Sequence, residues 1–278
     1  MSTNSEVSLT TQQGRNTDAS LCLGEGDLMA ELKSNVEWKQ WGKDDPMFGV
    51  ATWAGKEKDG SSPWTEEEFY ALGESDWRDF LGHWQHYGVN KESCLEIGCG
   101  AGRITRALAT YFDHVFAVDV SPEMISCAQK AIKSEHVEFS LIDGLHLPHA
   151  DGSVGAIFTT FVLQHLDNKE IGFEYFRELF RVLNAGGTIM VGLPLYQFPV
   201  ESGLVGVLMS SEYALRRAAG NIRAGIKRRL GIKTMRGTQY PIRHLREFLL
   251  GLGFRKIEFR IFPVTSNGFY EAYVFATK

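Results

Sequence analysis

From Ser93 onward the chain alternates between strand-like and helical stretches, and this alternation limits its possible folds more than any other feature. The runs Cys94–Ile97, His114–Val118, Val137–Ile142, Val154–Thr160 and Thr188–Leu193 are rich in the residues that favour strands. Between them, residues 103–111, 122–133 and 168–183 read as helices. Strands joined through helices run parallel, because each crossover returns the chain to the same end of the sheet. The expected fold is therefore α/β and Rossmann-like, with both faces of the sheet covered. Ile242–Leu252 reads as a further helix stopped by Gly253, and Lys256–Phe262 and Phe269–Thr277 as two more strands. Pro263–Gly268 has the residues of a turn, so the seven-strand, mostly parallel sheet is expected to end in an antiparallel hairpin.

The strongest local signal is Leu95-Glu96-Ile97-Gly98-Cys99-Gly100-Ala101-Gly102-Arg103, which leads the first strand into a helix. Glycines here let the backbone turn sharply and approach a ligand. Nicotinamide and flavin enzymes use a related turn, so the glycines alone leave several cofactors open. Glu96 narrows them: at the end of the strand it would repel a pyrophosphate and attract a cationic amino-acid group, which favours S-adenosylmethionine. Asp119 ends the second strand, where it can accept both hydroxyls of a ribose, and Ser121-Pro122 then start the next helix. Asp143 ends the third strand, in position to accept from an exocyclic amine. Any one of these acids alone would fit a loop or a cap; three in succession at βαβ spacing point to a ligand site.

On these residues, 93–195 resembles the core of class I S-adenosylmethionine-dependent methyltransferases of the small-molecule type. Thr160-Phe161-Val162-Leu163-Gln164-His165 after the fourth strand and Leu183-Asn184-Ala185-Gly186-Gly187-Thr188 before the fifth also match. The resemblance implies a methionine end at Glu96, Gly98, Cys99, Gly100 and Gly102, a ribose at Asp119, and adenine between Val120, Met124 and the Asp143-Gly144-Leu145 loop, with Phe161 completing the cofactor contacts. S-adenosylhomocysteine would be the product. Methyl transfer needs in-line alignment and gains much of its rate from positioning, so a base is optional. His165 is the candidate general base for a hydroxyl acceptor, with a structural, loop-capping histidine as the other reading. The Asn/Asp-Pro-Pro-aromatic motif of amine and amide methylation is missing at 160–163, which points away from DNA adenine and protein glutamine.

The expected acceptor is a small molecule, through a hydroxyl of a sugar-like or natural-product substrate. Residues 210–236 carry Arg216, Arg217, Arg223, Lys227, Arg228, Arg229, Lys233 and Arg236, which would suit an anionic acceptor. With Leu204, Val205, Val207, Leu208 and Met209 ahead of it, the stretch 204–236 would equally suit peripheral contact with an anionic membrane, and a solvated helix covering the sheet edge is the plainest alternative. RNA or protein methylation, or a regulatory protein that binds the cofactor without transfer, are the competing functions. A net charge of −5 argues against a general nucleic-acid binder, and no DNA partner is expected. Asp143, His146, His149 and Asp151 crowd one loop, but a loop beside adenine accounts for them and no metal is expected. Cys22, Cys94, Cys99 and Cys127 lack CxxC spacing and are expected as reduced thiols in a cytoplasmic protein, with no apolar run near the roughly 20 residues that span a bilayer.

The expected divisions are a flexible tail at 1–30, an aromatic-rich cap and helix at 31–92, the core at 93–195, a basic helical lid inserted at 196–239, and the last helix and hairpin at 240–278. Within the cap, Trp38, Trp41, Phe48, Trp53, Trp64, Phe69 and Tyr70 can lie over an apolar groove. Trp77, Phe80, Leu81 and Trp84 recur at helical spacing in a helix expected over Glu74–Tyr87.

Overall fold

The computed structural model describes residues 31–197 and 237–278, with Ala219 and Ile222 between them. The expected tail at 1–30, Cys22 and nearly all of the basic insertion lie outside the described residues.

The strands are β1 (Ser93–Ile97), β2 (His114–Asp119), β3 (Val137–Leu141), β4 (Val154–Thr159), β5 (Leu183–Gly192), β8 (Arg255–Pro263) and β9 (Tyr270–Thr277). They form one sheet in the order β3-β2-β1-β4-β5-β9-β8. β1 pairs in parallel with β2 and β4, β2 with β3 and β4 with β5, whereas β9 is antiparallel to both β5 and β8. This is the mostly parallel sheet with a terminal hairpin that the alternation of elements implies.

Side-chain alternation divides the core into two layers. Leu95 and Ile97 pack on one face with Ile157, Val191, Tyr175, Phe176 and Leu179, the last three from α6 (Lys169–Val182). The helix α7 (Ile242–Leu252) adds Leu245 and Leu249 to that layer. Cys94 and Phe158 face the other side, against Trp77, Phe80 and Trp84 of α3 (Glu66–Tyr87) and Leu108 of α4 (Thr105–Tyr111). Trp84 is fully buried, a burial worth roughly 1.5–3 kcal/mol, and its indole N–H donates to Thr188 Oγ1 at 3.0 Å.

The helix expected over Glu74–Tyr87 begins earlier, at Glu66, because Thr65 and Glu68 form a reciprocal capping box there. A β-carbon on Gly73 would overlap the Arg103 carbonyl, so this glycine lets α3 lie directly against the turn after β1. The cap also contains α1 (Lys33–Asp44) and α2 (Pro46–Val50), two helices within the stretch read as aromatic-rich. Asp45 caps α2 through the Phe48 amide, whereas α1 follows Leu32, which has no capping side chain. Its first amides, Lys33 and Ser34, donate instead to the Asp167 carboxylate, each at 2.9 Å.

β5 starts at Leu183, directly after α6, rather than at Thr188. The register jumps from Val154 opposite Leu183 to Ala156 opposite Thr188, which turns Asn184–Gly187 into an irregularity within the strand. Beyond β5, the short parallel pair β6 (Leu195–Tyr196) and β7 (Tyr240–Pro241) brings the two ends of the insertion side by side.

Candidate functional site

The site begins with the turn after β1. Gly98 and Cys99 donate their amides to the Val118 carbonyl at 2.8 and 3.1 Å, which folds the turn onto the end of β2. Gly98 has φ +71°, and a β-carbon there would collide with the Val162 side chain. Asp119 braces the same turn: Oδ2 accepts from the Gly100 amide at 2.9 Å and Oδ1 from the Ser121 amide at 2.9 Å. Ser121 then caps α5 (Pro122–Ala131) by accepting from Met124.

Glu96 and Asp119 are both buried. Burial pushes the Glu96 carboxyl up to about 7, opposed by the Thr105 hydroxyl, which donates to Oε2 at 2.5 Å, and by the Arg103 charge. Burial also raises Asp119, against the amides that hold its ionised form. Two carboxylates held this way favour a cationic or hydroxyl-rich ligand over an anionic one.

Both acids open into a cavity at the carboxyl ends of β1, β2 and β4, with about 760 Å³ of empty space that is partly open to solvent. This is the end of a parallel sheet where ligands bind. Of the residues expected at the cofactor, Glu96, Gly98, Cys99, Gly100, Asp119, Val120 and Phe161 line it. Phe161 has φ +58°, a backbone state that costs a residue with a side chain on the order of 1–3 kcal/mol.

The other expected residues do not line the cavity. Gly102 lies behind the turn, against Ile132 and Ala128. Met124 is fully buried in the cap cluster with Trp64, Phe69 and Tyr70. Asp143 turns its carboxylate into its own loop: Oδ1 accepts from the Leu145 and His146 amides, each at 2.8 Å, and Oδ2 lies 2.7 Å from His146 Nδ1. Gly144 lies against the Asn35 side chain, which donates to the Asp143 carbonyl at 2.7 Å, and Leu145 packs at the edge of the core. His165 is buried with its ring edge-on to Trp38, 5.2 Å between centroids, and it is Trp38 that reaches the cavity. Of the four residues weighed for a metal, Asp143 and His146 bond each other, His149 packs against Phe116 and Asp151 pairs with Arg181. Cys94, Cys99 and Cys127 are free thiols.

Trp38, Val50, Arg103, Thr160, Val162 and Tyr175 also line the cavity. The aromatic richness around Trp38 was the only signal for the cap wall, and Tyr175 lies on the apolar stripe of α6 with Ile171, Phe176 and Leu179. Arg103 was read within the helix expected over residues 103–111. It precedes α4, is buried, and pairs with the buried Asp76 of α3. Arg106 does lie in α4, where it pairs with Glu74 on the surface.

Residues 95–191 match the family model of a methyltransferase domain. Norajmaline N-methyltransferase from Rauvolfia serpentina is 31% identical over 105 residues, 36% of this chain and 35% of that protein. Demethylmenaquinone methyltransferase from Clavibacter sepedonicus is 29% identical over 150 residues, 49% of this chain and 60% of its own length. The chain thus spans about a third of the first relative and three fifths of the second. The structure of magnesium protoporphyrin IX methyltransferase from Synechocystis, with bound S-adenosylhomocysteine, has the same fold: TM-score 0.55, 17% identity, covering 88% of this chain and 97% of that one.

Proposed function

With residues 95–191 a class I S-adenosylmethionine-dependent methyltransferase domain, we propose that the chain transfers a methyl group from S-adenosylmethionine to a hydroxyl of a small, natural-product-like acceptor. The observation that carries this is the cavity itself, in which two buried carboxylates and a glycine turn face an apolar and aromatic wall. When bound, the cofactor supplies an electrophilic methyl on a cationic sulfur. Glu96 would hold its ammonium, Asp119 would accept from its ribose while still bracing the Gly100 amide, and Val120 with Ile142 would cover an adenine face. A carboxylate oxygen has two lone pairs, so Asp119 can do both.

Trp38, Phe161 and Tyr175 exclude water and favour an acceptor with a flat apolar body. The relatives named for norajmaline and demethylmenaquinone support a small-molecule acceptor. Because Trp38 stands between His165 and the cavity, a base role for His165 requires that ring to swing aside; positioning alone is the simpler source of rate. For the basic stretch 204–236, the proposals are an anionic group on the acceptor or an anionic membrane surface. Among the described residues no helix is long and apolar enough to cross a membrane.

The test is calorimetric titration with S-adenosylmethionine, S-adenosylhomocysteine and NAD, followed by methyl-label transfer to a panel of small hydroxyl, amine and RNA acceptors. Binding of the first two with transfer to a small molecule is expected. Selective NAD binding would overturn the function, transfer only to RNA would replace the acceptor, and binding without any transfer would favour a regulatory protein. Asp119→Ala is expected to weaken S-adenosylhomocysteine binding by about 1–3 kcal/mol. Unchanged affinity in a folded variant would mean that the ribose lies elsewhere.

A further inference from the structure

Just past the end of β4, three residues line up across the sheet: Thr160, Gly192 at the end of β5, and Tyr273 in β9. The row follows from the register, in which Thr159 lies opposite Val191 and Gly192 opposite Tyr273. Thr160 Oγ1 and Tyr273 Oη are 2.9 Å apart across the glycine. A β-carbon on Gly192 would come within 2.8 Å of Thr160 Oγ1 and 2.7 Å of Tyr273 Cε1, so the bare glycine is what lets the two hydroxyls meet.

Burial decides which hydroxyl donates. Tyr273 is fully buried, and Thr160 is the one hydrogen-bond partner of its hydroxyl among the described residues. An enclosed phenol that donated to nothing would forfeit a hydrogen bond, so Tyr273 donates to Thr160. The threonine then keeps its own proton and one lone pair, and among the described residues it has no other partner for either. Thr160 is the partly exposed member of the pair and it lines the cavity, whereas Tyr273 does not. The unused capacity is therefore offered to the cavity.

The register also fixes which part of the cavity this is. Glu96 lies opposite Phe158, and Thr160 follows Phe158 by two residues, so both polar side chains leave the same face of the sheet. In the strand order, β2 with Asp119 flanks Glu96 on one side and β4 flanks it on the other. With a ribose at Asp119, the flank left for an acceptor is that of Thr160, next to Phe161.

Resting on the acceptor reading above, we propose that Thr160 selects the acceptor: its hydroxyl, held by Tyr273, hydrogen-bonds an uncharged oxygen on the acceptor's flat body. A hydroxyl with one proton and one lone pair to give fits a phenol or an alcohol, which both accepts and donates, better than an ionised group, which does only one. Tyr273 is a positioning residue: it orients the Thr160 hydroxyl from behind the cavity wall.

The test uses 2-naphthol and 2-methylnaphthalene, flat probes of nearly equal shape that differ by a hydroxyl. Each is titrated into the full chain saturated with S-adenosylhomocysteine. Expected for the unmodified chain is tighter binding of 2-naphthol by about 3- to 10-fold, the range of one neutral hydrogen bond. Thr160→Val should abolish that preference and leave the affinity for 2-methylnaphthalene within about twofold, whereas Thr160→Ser should keep the preference. Tyr273→Phe should lower the preference to an intermediate value, because the Thr160 hydroxyl remains but is no longer oriented. The double variant T160V/Y273F leaves no unpaired phenol, should behave like Thr160→Val, and guards against misfolding of the single variant.

A preference that survives in the double variant, or none in the unmodified chain, would overturn the Thr160 assignment and leave the cofactor assignment standing. Loss of S-adenosylhomocysteine affinity together with the preference would make the pair structural and overturn it too. A chain that binds S-adenosylhomocysteine but neither probe overturns the flat-acceptor reading as well, and one that does not bind S-adenosylhomocysteine overturns the proposed function itself.

Discussion

One wall of the cavity, residues 96–102 with Asp119, is set by backbone hydrogen bonds between adjacent strand ends, whereas another, Trp38 and Val50, belongs to helices fastened from far along the chain. The Lys33 and Ser34 amides at the start of α1 bind a carboxylate 134 and 133 residues away, and Asn35 reaches a carbonyl 108 residues away. The first wall is rigid because its conformation and its ligand groups are the same atoms. The second is held by contacts outside the sheet, so it is expected to unfasten without disturbing the sheet. On the function proposed above, a pocket built this way would keep a constant cofactor end and leave the acceptor end free to vary.

The sharpest way to break that contrast is Gly98→Ala. Its φ of +71° strains any residue with a β-carbon, and the added atom meets Val162. Strain and overpacking together should cost about 2–4 kcal/mol of stability, measured by denaturant unfolding. A change under about 0.5 kcal/mol would mean that the turn is not fixed by its backbone.

A second, smaller effect sharpens the comparison through pH. Glu96 has a folded value near 7, above its ordinary value of 4.5. In the free protein, its contribution to stability is therefore present below about pH 4.5 and is lost as pH rises through 7. Ligand binding has the opposite sign, since a cationic amine prefers the ionised carboxylate. Between pH 8 and pH 6 the ionised fraction falls by about tenfold, and S-adenosylhomocysteine affinity should fall by the same factor. Glu96→Gln should flatten the profile. A flat profile in the unmodified chain would show that Glu96 does not meet the amine.

The same contrast explains what could be read from the sequence. The mostly parallel sheet, the hairpin and most of the glycine-turn site follow from local pattern: strand period, helix caps and an acid at each strand end. That Glu96 and Asp119 would line one cavity was legible because it depends on position in a βαβ unit. Asp143 fits the same rule, yet its carboxylate is taken by the Leu145 and His146 amides and by the His146 ring, a competition within three residues that strand-end logic ignores. Arg103 sits one residue past Gly102, at the start of the stretch read as a helix. Only α3, packed closely at Gly73, reveals the Asp76 that buries it. Trp38 was visible as part of an aromatic-rich stretch, but nothing nearby in sequence says which of those rings would meet the cavity.

α1 shows the limit most clearly, and it gives the smallest expected effect. A helix is normally announced by Ser, Thr, Asp or Asn just before it. Here that position is Leu32, with no capping side chain, and the cap is supplied by Asp167 in the loop after β4. Asp167→Ala removes an acceptor from two helix-start amides, and should cost about 1 kcal/mol, the usual value of a lost N-cap. Because the sheet and glycine turn do not depend on that contact, the loss should appear as local opening: faster hydrogen exchange along Lys33–Asp44, with protection of β1 and β2 unchanged. Affinity for S-adenosylhomocysteine should change by no more than about threefold, since Trp38 is the α1 residue that meets the cavity. Equal loss of protection in α1 and the sheet would mean that the two walls are one cooperative unit, and the comparison would fail. Exchange confined to α1 would make Asp167 the fastening of a wall that can loosen while the cofactor end stays folded.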